Sequence, residues 1–260
     1  YHGHNHGKIN ATIDPASWCR EYEQFSYEKY KEIIQKDISR IKNELGILVT
    51  GGRSPCYIYN KKIEKLIAEI GFKWWSFDYN PNQFRHTYKN DILSFPTNLS
   101  GNYFNSKIIS IRKVISSPFG EQKKKYYLEN LIKRGLLISI AEHFLSTRPD
   151  GKRQQPNIFD DINSLDKIFG TLRGNDIWYE TCSKISHYLE SYDRTDIKKI
   201  TNNKYEITYN GNWEKLFLSI KSKSKELKNI NTNKIIHGVY KQGYWIFNNL
   251  EEGVYEELQC

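Results

Sequence analysis

The sequence predicts an α/β protein with parallel strands in the manner of an incomplete or distorted (β/α) barrel, followed by a small antiparallel β unit. Three observations predict it. Apolar, strand-like runs alternate with amphipathic helical stretches from residue 26 to about residue 190. Glycines stand where those helices should stop. From Lys199 the pattern changes to short alternating strands separated by Asn-Gly, Gln-Gly and Glu-Gly turns. The boundary is expected near Thr195, giving units 1–195 and 196–260.

The chain opens on His2-Gly3-His4-Asn5-His6, three imidazoles within five residues. Neutral ring nitrogens are donors that zinc and its neighbours bind. His2 and His6 are four apart, so in a helical turn both rings share a face and one metal ion, while His4 faces away. A polar loop with Asn10, Asp14, Pro15 and Trp18 follows, long enough to cover a site. Ser26 caps a helix whose apolar stripe runs from Tyr27 to Leu45, and Gly46 ends it. Residues 47–50, Ile-Leu-Val-Thr, read as a buried strand delivering the loop Gly51-Gly52-Arg53-Ser54-Pro55. A helix over 59–70, with Ile63, Leu66, Ile67 and Ile70 at helical spacing, stops at Gly71, and 72–78 form the next strand. Strand, helix and strand make a βαβ unit, which implies neighbouring parallel strands.

Residues 79–106 read as a groove-shaping loop with one strand at 92–95. Helices follow at 121–133, 159–169 and 181–190, and strands at 136–141 and 177–178. In parallel α/β barrels the chemistry sits at the C-terminal ends of strands, where Arg53, Asp78 and His143 fall. Beyond Thr195, strands are expected at 205–209, 216–220, 239–240, 244–247 and 253–255. Trp213, Tyr244 and Trp245 read as core aromatics there, with stacking on sugar rings as the lesser reading.

The chain has 260 residues, 38% of them hydrophobic and 14% aromatic, enough for one sizeable core and a small second unit. Its net charge of +9 invites a nucleic-acid partner. The lysines, however, are spread through amphipathic segments rather than clustered in a stripe, so nucleic acid is not expected and an anionic glycan would suit the surface equally. Cys19, Cys56, Cys182 and Cys260 show no Cys-x-x-Cys spacing and no dense framework. No apolar run is long enough to span a bilayer. The chain contains no methionine, from which an upstream segment carrying at least one strand is expected.

Over roughly residues 1 to 192 the order of these motifs resembles the polysaccharide deacetylases, carbohydrate esterase family four. The resemblance rests on His2 and His6 matching a His-[Ser/Thr/Gly]-x-x-His motif, on Arg53 and Pro55 matching an Arg-x-Pro loop, and on Asp78 and His143 at later strand ends. It implies a barrel and a hydrolase that removes N-acetyl groups from a glycan or amino sugar, the partner being an N-acetylated polysaccharide or oligosaccharide. It implies one divalent metal ion, zinc with cobalt or nickel as alternatives, held by His2 and His6. His143 would protonate the leaving amine, Arg53 would orient the catalytic carboxylate or the substrate, and Asp78 would stand at the site. Pro55, Trp74 and Trp75 would bind substrate. The family's aspartate motif, which supplies the catalytic base and a third ligand, is absent, and Cys56-Tyr57 replaces the usual aromatic-glycine pair. The expectation is therefore an activity that depends on residues upstream of Tyr1, with a catalytically inactive carbohydrate-binding barrel as the alternative. A bacterial cell-envelope or secreted location is favoured over the cytoplasm.

Overall fold

The computed structural model describes residues 1–2, 21–57, 60–105, 109–110, 113–114, 118–148 and 151–258. The chain divides into two compact units, Tyr1–Tyr179 and Glu180–Cys260. Both are α/β in content, but parallel pairing belongs to the first and antiparallel hairpins dominate the second. Among the described residues no helix is long and apolar enough to cross a membrane.

In the first unit, α1 (Tyr27–Leu45) begins at Ser26, whose side chain accepts a hydrogen bond from Lys29 N, and ends at left-handed Gly46. The strand β1 is Gly51–Arg53, not the apolar run before it: Ile47 and Leu48 are exposed. Close approach explains the shift. A Cβ on Gly51 would collide with the Trp74 ring, and one on Gly52 with Tyr1 O and the Trp75 ring. The glycines are thus the strand itself. After a 3-10 turn at Pro55–Tyr57 comes α2 (Lys61–Ile70), capped by Asn60 through Ile63 N and closed by left-handed Gly71. It leads to β2 (Trp74–Ser76), parallel to β1 in the register Gly51 to Trp74 and Arg53 to Ser76. Tyr1 lies on the other side of β1, its N donating to Gly51 O and its carbonyl accepting from Arg53 N, each at 2.8 Å.

The stretch read as loop holds the strand expected at 92–95 and, paired with it, one that was not expected. β3 (Thr87–Lys89) and β4 (Ile92–Ser94) form a hairpin around Asn90 and Asp91, both at positive φ, the geometry of a two-residue primed turn. β4 pairs in parallel with β2, giving the order β1-β2-β4-β3. A bridge from Tyr79 to Thr97 prolongs that pairing, and β5 (Leu99–Ser100) follows. A short antiparallel pair, β6 (Ile109–Ser110) with β7 (Lys113–Val114), precedes α3 (Pro118–Lys133). β8 (Ile140–Ala141) then lies parallel to β5, and α4 (Ile158–Leu172) completes the unit. The strand expected at 177–178 does not form, and Trp178 is exposed. No closed barrel is present among the described residues.

Two apolar clusters hold these elements. Tyr30 and Ile34 of α1, Ile63, Leu66 and Ile67 of α2, and Trp75 and Ile92 of the sheet form one. Leu128 and Leu131 of α3, Leu165, Ile168 and Leu172 of α4, and Leu99 form the other. Burying each such side chain stabilises the fold by about 1.5–3 kcal/mol.

The second unit opens with α5 (Cys182–Arg194), capped by Thr181, so the helix that continues the earlier alternation is grouped with the β unit. Its Glu190 and Ser191 are buried and accept from Asn212 N and Phe217 N. The strands are β9 (Thr195–Lys199), β10 (Lys204–Tyr209), β11 (Ser219–Ser222), β12 (Glu226–Asn229), β13 (Ile235–His237), β14 (Val239–Lys241), β15 (Tyr244–Asn248) and β16 (Gly253–Leu258). They make a five-stranded sheet in the order β13-β12-β16-β10-β9 and a three-stranded one in the order β11-β15-β14. Gln242 and Gly243, both at positive φ, turn β14 into β15 as the Gln-Gly signal implied.

Candidate functional site

The parallel pairings of the first unit bring the ends of several strands to one place. A cleft of about 760 Å³ is lined there by His2 beside β1, by Arg53 at the end of β1, by Tyr79 after β2, by Ser100 of β5 and by His143 after β8. Residues separated by up to 141 positions meet because every contributing strand points the same way.

His2 Nδ1 stands 3.0 Å from Arg53 O. A carbonyl only accepts, so the neutral ring carries its proton on Nδ1 and its lone pair on Nε2. The same logic holds for His143, whose Nδ1 donates to Pro156 O at 2.7 Å. That carbonyl lies just ahead of α4, and Ile158 N donates back to His143 O at 3.0 Å. The start of α4 is itself tightly tied. Asn157 accepts from Asp160 N at 3.1 Å and donates through Nδ2 to Gln154 O at 2.6 Å, while its own N donates to Asp161 Oδ2 at 3.1 Å. Asn157 is fully buried, so these bonds are shielded from water and orient the segment that holds the His143 ring.

Arg53 Nη1 donates to Tyr57 OH at 2.8 Å, and its guanidinium lies over the Tyr57 ring at 5.1 Å. Tyr57 in turn faces Tyr79, ring centroids 6.1 Å apart. Both tyrosines line the cleft, and burial pushes the Tyr79 phenol up, with Tyr57 adding to it. Cys56 and Tyr57 both sit at positive φ, near 50° and 55°, which costs energy in residues bearing a side chain. Cys56 is disulfide-bonded, its partner lying outside the described residues; Cys182 forms no disulfide. The strained turn presents the Tyr57 ring to the cleft.

The residues singled out from the sequence are distributed as follows. His2, Arg53 and His143 line one cleft. His6 lies outside the described residues, as do Asn10, Asp14, Pro15 and Trp18. Asp78, two residues beyond β2, is half-buried, its Oδ1 has no hydrogen-bond partner among the described residues, and it does not line the cleft. Pro55 is buried behind the turn. Trp75 is core, 4% exposed, with Nε1 donating to Ser54 Oγ at 3.1 Å; Trp74 packs on Gly51 and Phe95. Neither tryptophan lines the cleft, because alternation along β2 turns them to the two faces of the sheet rather than to its end.

Tyr57, noted in the sequence only as a departure from the resemblance, lines the wall, as do three side chains that the sequence reading passed over: Tyr79, Arg148 and Arg153. The arginines flank a tight hairpin, in which Arg148 N donates to Lys152 O at 2.8 Å and Gln154 N to Ser146 O at 2.9 Å. Its signal was the Pro149-Asp150-Gly151 turn between two arginines. Arg153 makes a two-pronged ion pair with Asp160, and its guanidinium, with Asn157, holds that carboxyl down at about 2.

Glu142, next to His143, folds back so that Oε1 accepts from His143 N at 3.0 Å, and its other oxygen lies against Gly101. Burial pushes its carboxyl up. A second cleft, about 580 Å³, lies at the starts of α1 and α2 among Tyr22, Phe25, Tyr30 and Leu66; no strand ends there. Among the described residues no group of three His, Cys, Asp or Glu side chains could hold a metal ion.

One solved structure is similar. It is that of a candidate polysaccharide deacetylase from Mycobacterium smegmatis, with 18% identity and a TM-score of 0.44, the match covering 74% of this chain and 63% of that one. This chain thus spans less than two thirds of that protein, and the superposition is too loose to transfer the role of any residue. No protein-family model and no curated protein matches the chain.

Proposed function

We propose that the first unit is a hydrolase that removes N-acetyl groups from a glycan. The observation that carries this is the meeting of His2, Arg53 and His143 in one cleft at the ends of parallel strands. The aromatic pair Tyr57 and Tyr79 supports a sugar substrate, since the apolar face of a pyranose stacks on such rings. His143 is the proton donor to the leaving amine: its Nδ1–H is held by Pro156 O, which leaves Nε2 to exchange the proton. Arg53, backed by Tyr57, orients the substrate carbonyl through charge-assisted hydrogen bonds.

His2 fits a divalent metal of the zinc class in one respect, the backbone carbonyl behind its Nδ1, which is the usual support of a ligating imidazole. His6 is the proposed second ligand. Such an ion, when bound, would polarise the acetyl carbonyl and acidify a water. The Cys56 disulfide supports an oxidising compartment, in keeping with a cell-envelope or secreted protein.

The test is acetate release from N-acetylglucosamine oligomers and peptidoglycan fragments by the full chain, with zinc, cobalt or nickel supplied. Release that is abolished by a chelator and by His143→Ala is the expected result. Binding of the same oligomers without any acetate release would instead establish an inactive carbohydrate-binding protein.

A further inference from the structure

The turn at 101–105, which follows β5, is held from two helices at once. Lys124 of α3 donates through Nζ to Tyr103 O at 2.7 Å. Ser164 and Asp161 of α4 accept from Phe104 N at 2.8 Å and from Asn105 Nδ2 at 3.2 Å. All three of these side chains are buried, Ser164 completely. A buried polar group costs free energy unless it is hydrogen-bonded, and a satisfied buried network rigidifies what it touches. A turn that only connected β5 to the next element would not need such bracing. Asp161 also accepts from Asn157 N at 3.1 Å, so the same carboxylate steadies the segment that carries Pro156 behind the His143 ring.

The residue of this turn that lines the cleft is Asn102. Ser100 pairs with Ala141 in the parallel register of β5 and β8, and Gly101 N donates to Ala141 O at 3.0 Å. Asn102 and His143 each stand two residues beyond that pair, on neighbouring strand ends. The braced turn therefore fixes an amide side chain beside the proton donor.

Resting on the deacetylase reading of this cleft, we infer that Asn102 binds the substrate, its amide hydrogen-bonding a hydroxyl of the sugar that loses its acetyl group. A carboxamide offers donors and an acceptor together, as a hydroxyl does, so the two match without any charge. Arg53 and His143 are occupied by the acetyl carbonyl and the leaving amine, which leaves the rest of the sugar to Asn102. Asn102 is then a specificity residue and takes no part in bond breaking.

The experiment compares three N-acetylglucosamine oligomers of equal length: the intact one, one lacking the hydroxyl beside each acetamido group, and one lacking the exocyclic hydroxyl. Binding is read by calorimetry and hydrolysis by acetate release, for the full chain and for Asn102→Ala and Asn102→Leu. The unaltered chain is expected to bind one deoxy form about three- to tenfold more weakly than the intact oligomer, the range for one hydrogen bond, and that arm names the hydroxyl. In Asn102→Ala the intact and that deoxy oligomer should bind equally, because the partner of the missing hydroxyl is gone. A merely structural role would weaken all three oligomers alike and keep the preference. If Asn102→Ala does not fold, Asn102→Leu, which keeps the bulk and removes the amide, decides. A preference that persists in the variants, or is lacking in the unaltered chain, overturns the inference even if acetate is released. A preference lost in the variants, with no acetate released from any oligomer, upholds it and removes the deacetylase reading instead.

Discussion

In the N-terminal unit, β1, β2, β5 and β8 run in one direction, so side chains far apart in sequence gather at a single mouth. In the C-terminal unit each strand returns beside a neighbour, and polar side chains close on one another instead. Ser222 donates to Glu257 at 2.6 Å, Asn229 accepts from Thr232 N at 3.0 Å, and Glu190 caps the turn at Asn212. The first arrangement leaves His2, Arg53 and His143 facing a cavity; the second spends its polar groups on holding hairpins. Substitutions in the two regions should therefore fail in different ways.

The largest effect is expected in the cleft. His143→Ala should lower the rate of acetate release by about a hundredfold to ten-thousandfold, the range for losing a general acid, with circular dichroism unchanged. In the β unit the corresponding large loss is of stability. Leu227 is completely buried in the cluster with Ile207, Phe247 and Tyr255, so Leu227→Ala should cost about 2–5 kcal/mol in denaturant unfolding without lowering the turnover of the folded fraction.

Asn157 sharpens the contrast because it does both jobs. As the cap of α4 its replacement by alanine should cost about 0.5–2 kcal/mol. It also ties down the residues ahead of α4 that hold the His143 ring, so turnover should fall as well. Asn157→Asp keeps the capping oxygen but loses both bonds donated by Nδ2 and sets a second carboxylate against Asp160, so it should recover only part of the stability and less of the turnover.

Much of this architecture was legible. Ser26, Gly46, Asn60 and Gly71 mark helix ends because capping is local chemistry, and the strand ends bearing Arg53 and His143 follow from the alternation of elements. What the sequence concealed depends on distant contacts. The Ile47–Leu48 run looks like a strand until Trp74 and Tyr1 are seen to need the glycines that follow. The resemblance offered Trp74 and Trp75 as substrate-binding residues; within β2 they face the sheet's two surfaces, Trp75 buried and Trp74 half-buried, and neither lines the cleft. Tyr57, Tyr79, Arg148 and Arg153 reach the cleft from loops, where no periodicity reports direction.

The smallest effect concerns Glu142. Burial raises its carboxyl above the ordinary glutamate range, opposed by the hydrogen bond from His143 N. An acid raised in the folded state supports stability fully below its unfolded pKa and loses that support as pH rises through the folded value. Glu142→Gln should thus leave stability unchanged in acid, where the wild-type group is already neutral, and raise it slightly near neutral pH. A gain at low pH that disappears at neutral pH would reverse the sign and show that the carboxylate is stabilised where it lies.

The most direct test of whether the strand ends form one working site is a double-mutant cycle on acetate release between His2→Ala and His143→Ala. Groups that act as a unit lose their function once, so the double variant should be no more than about tenfold slower than the worse single variant. Losses that multiply in full would mean that the two histidines act independently, and would contradict the account of a single cleft.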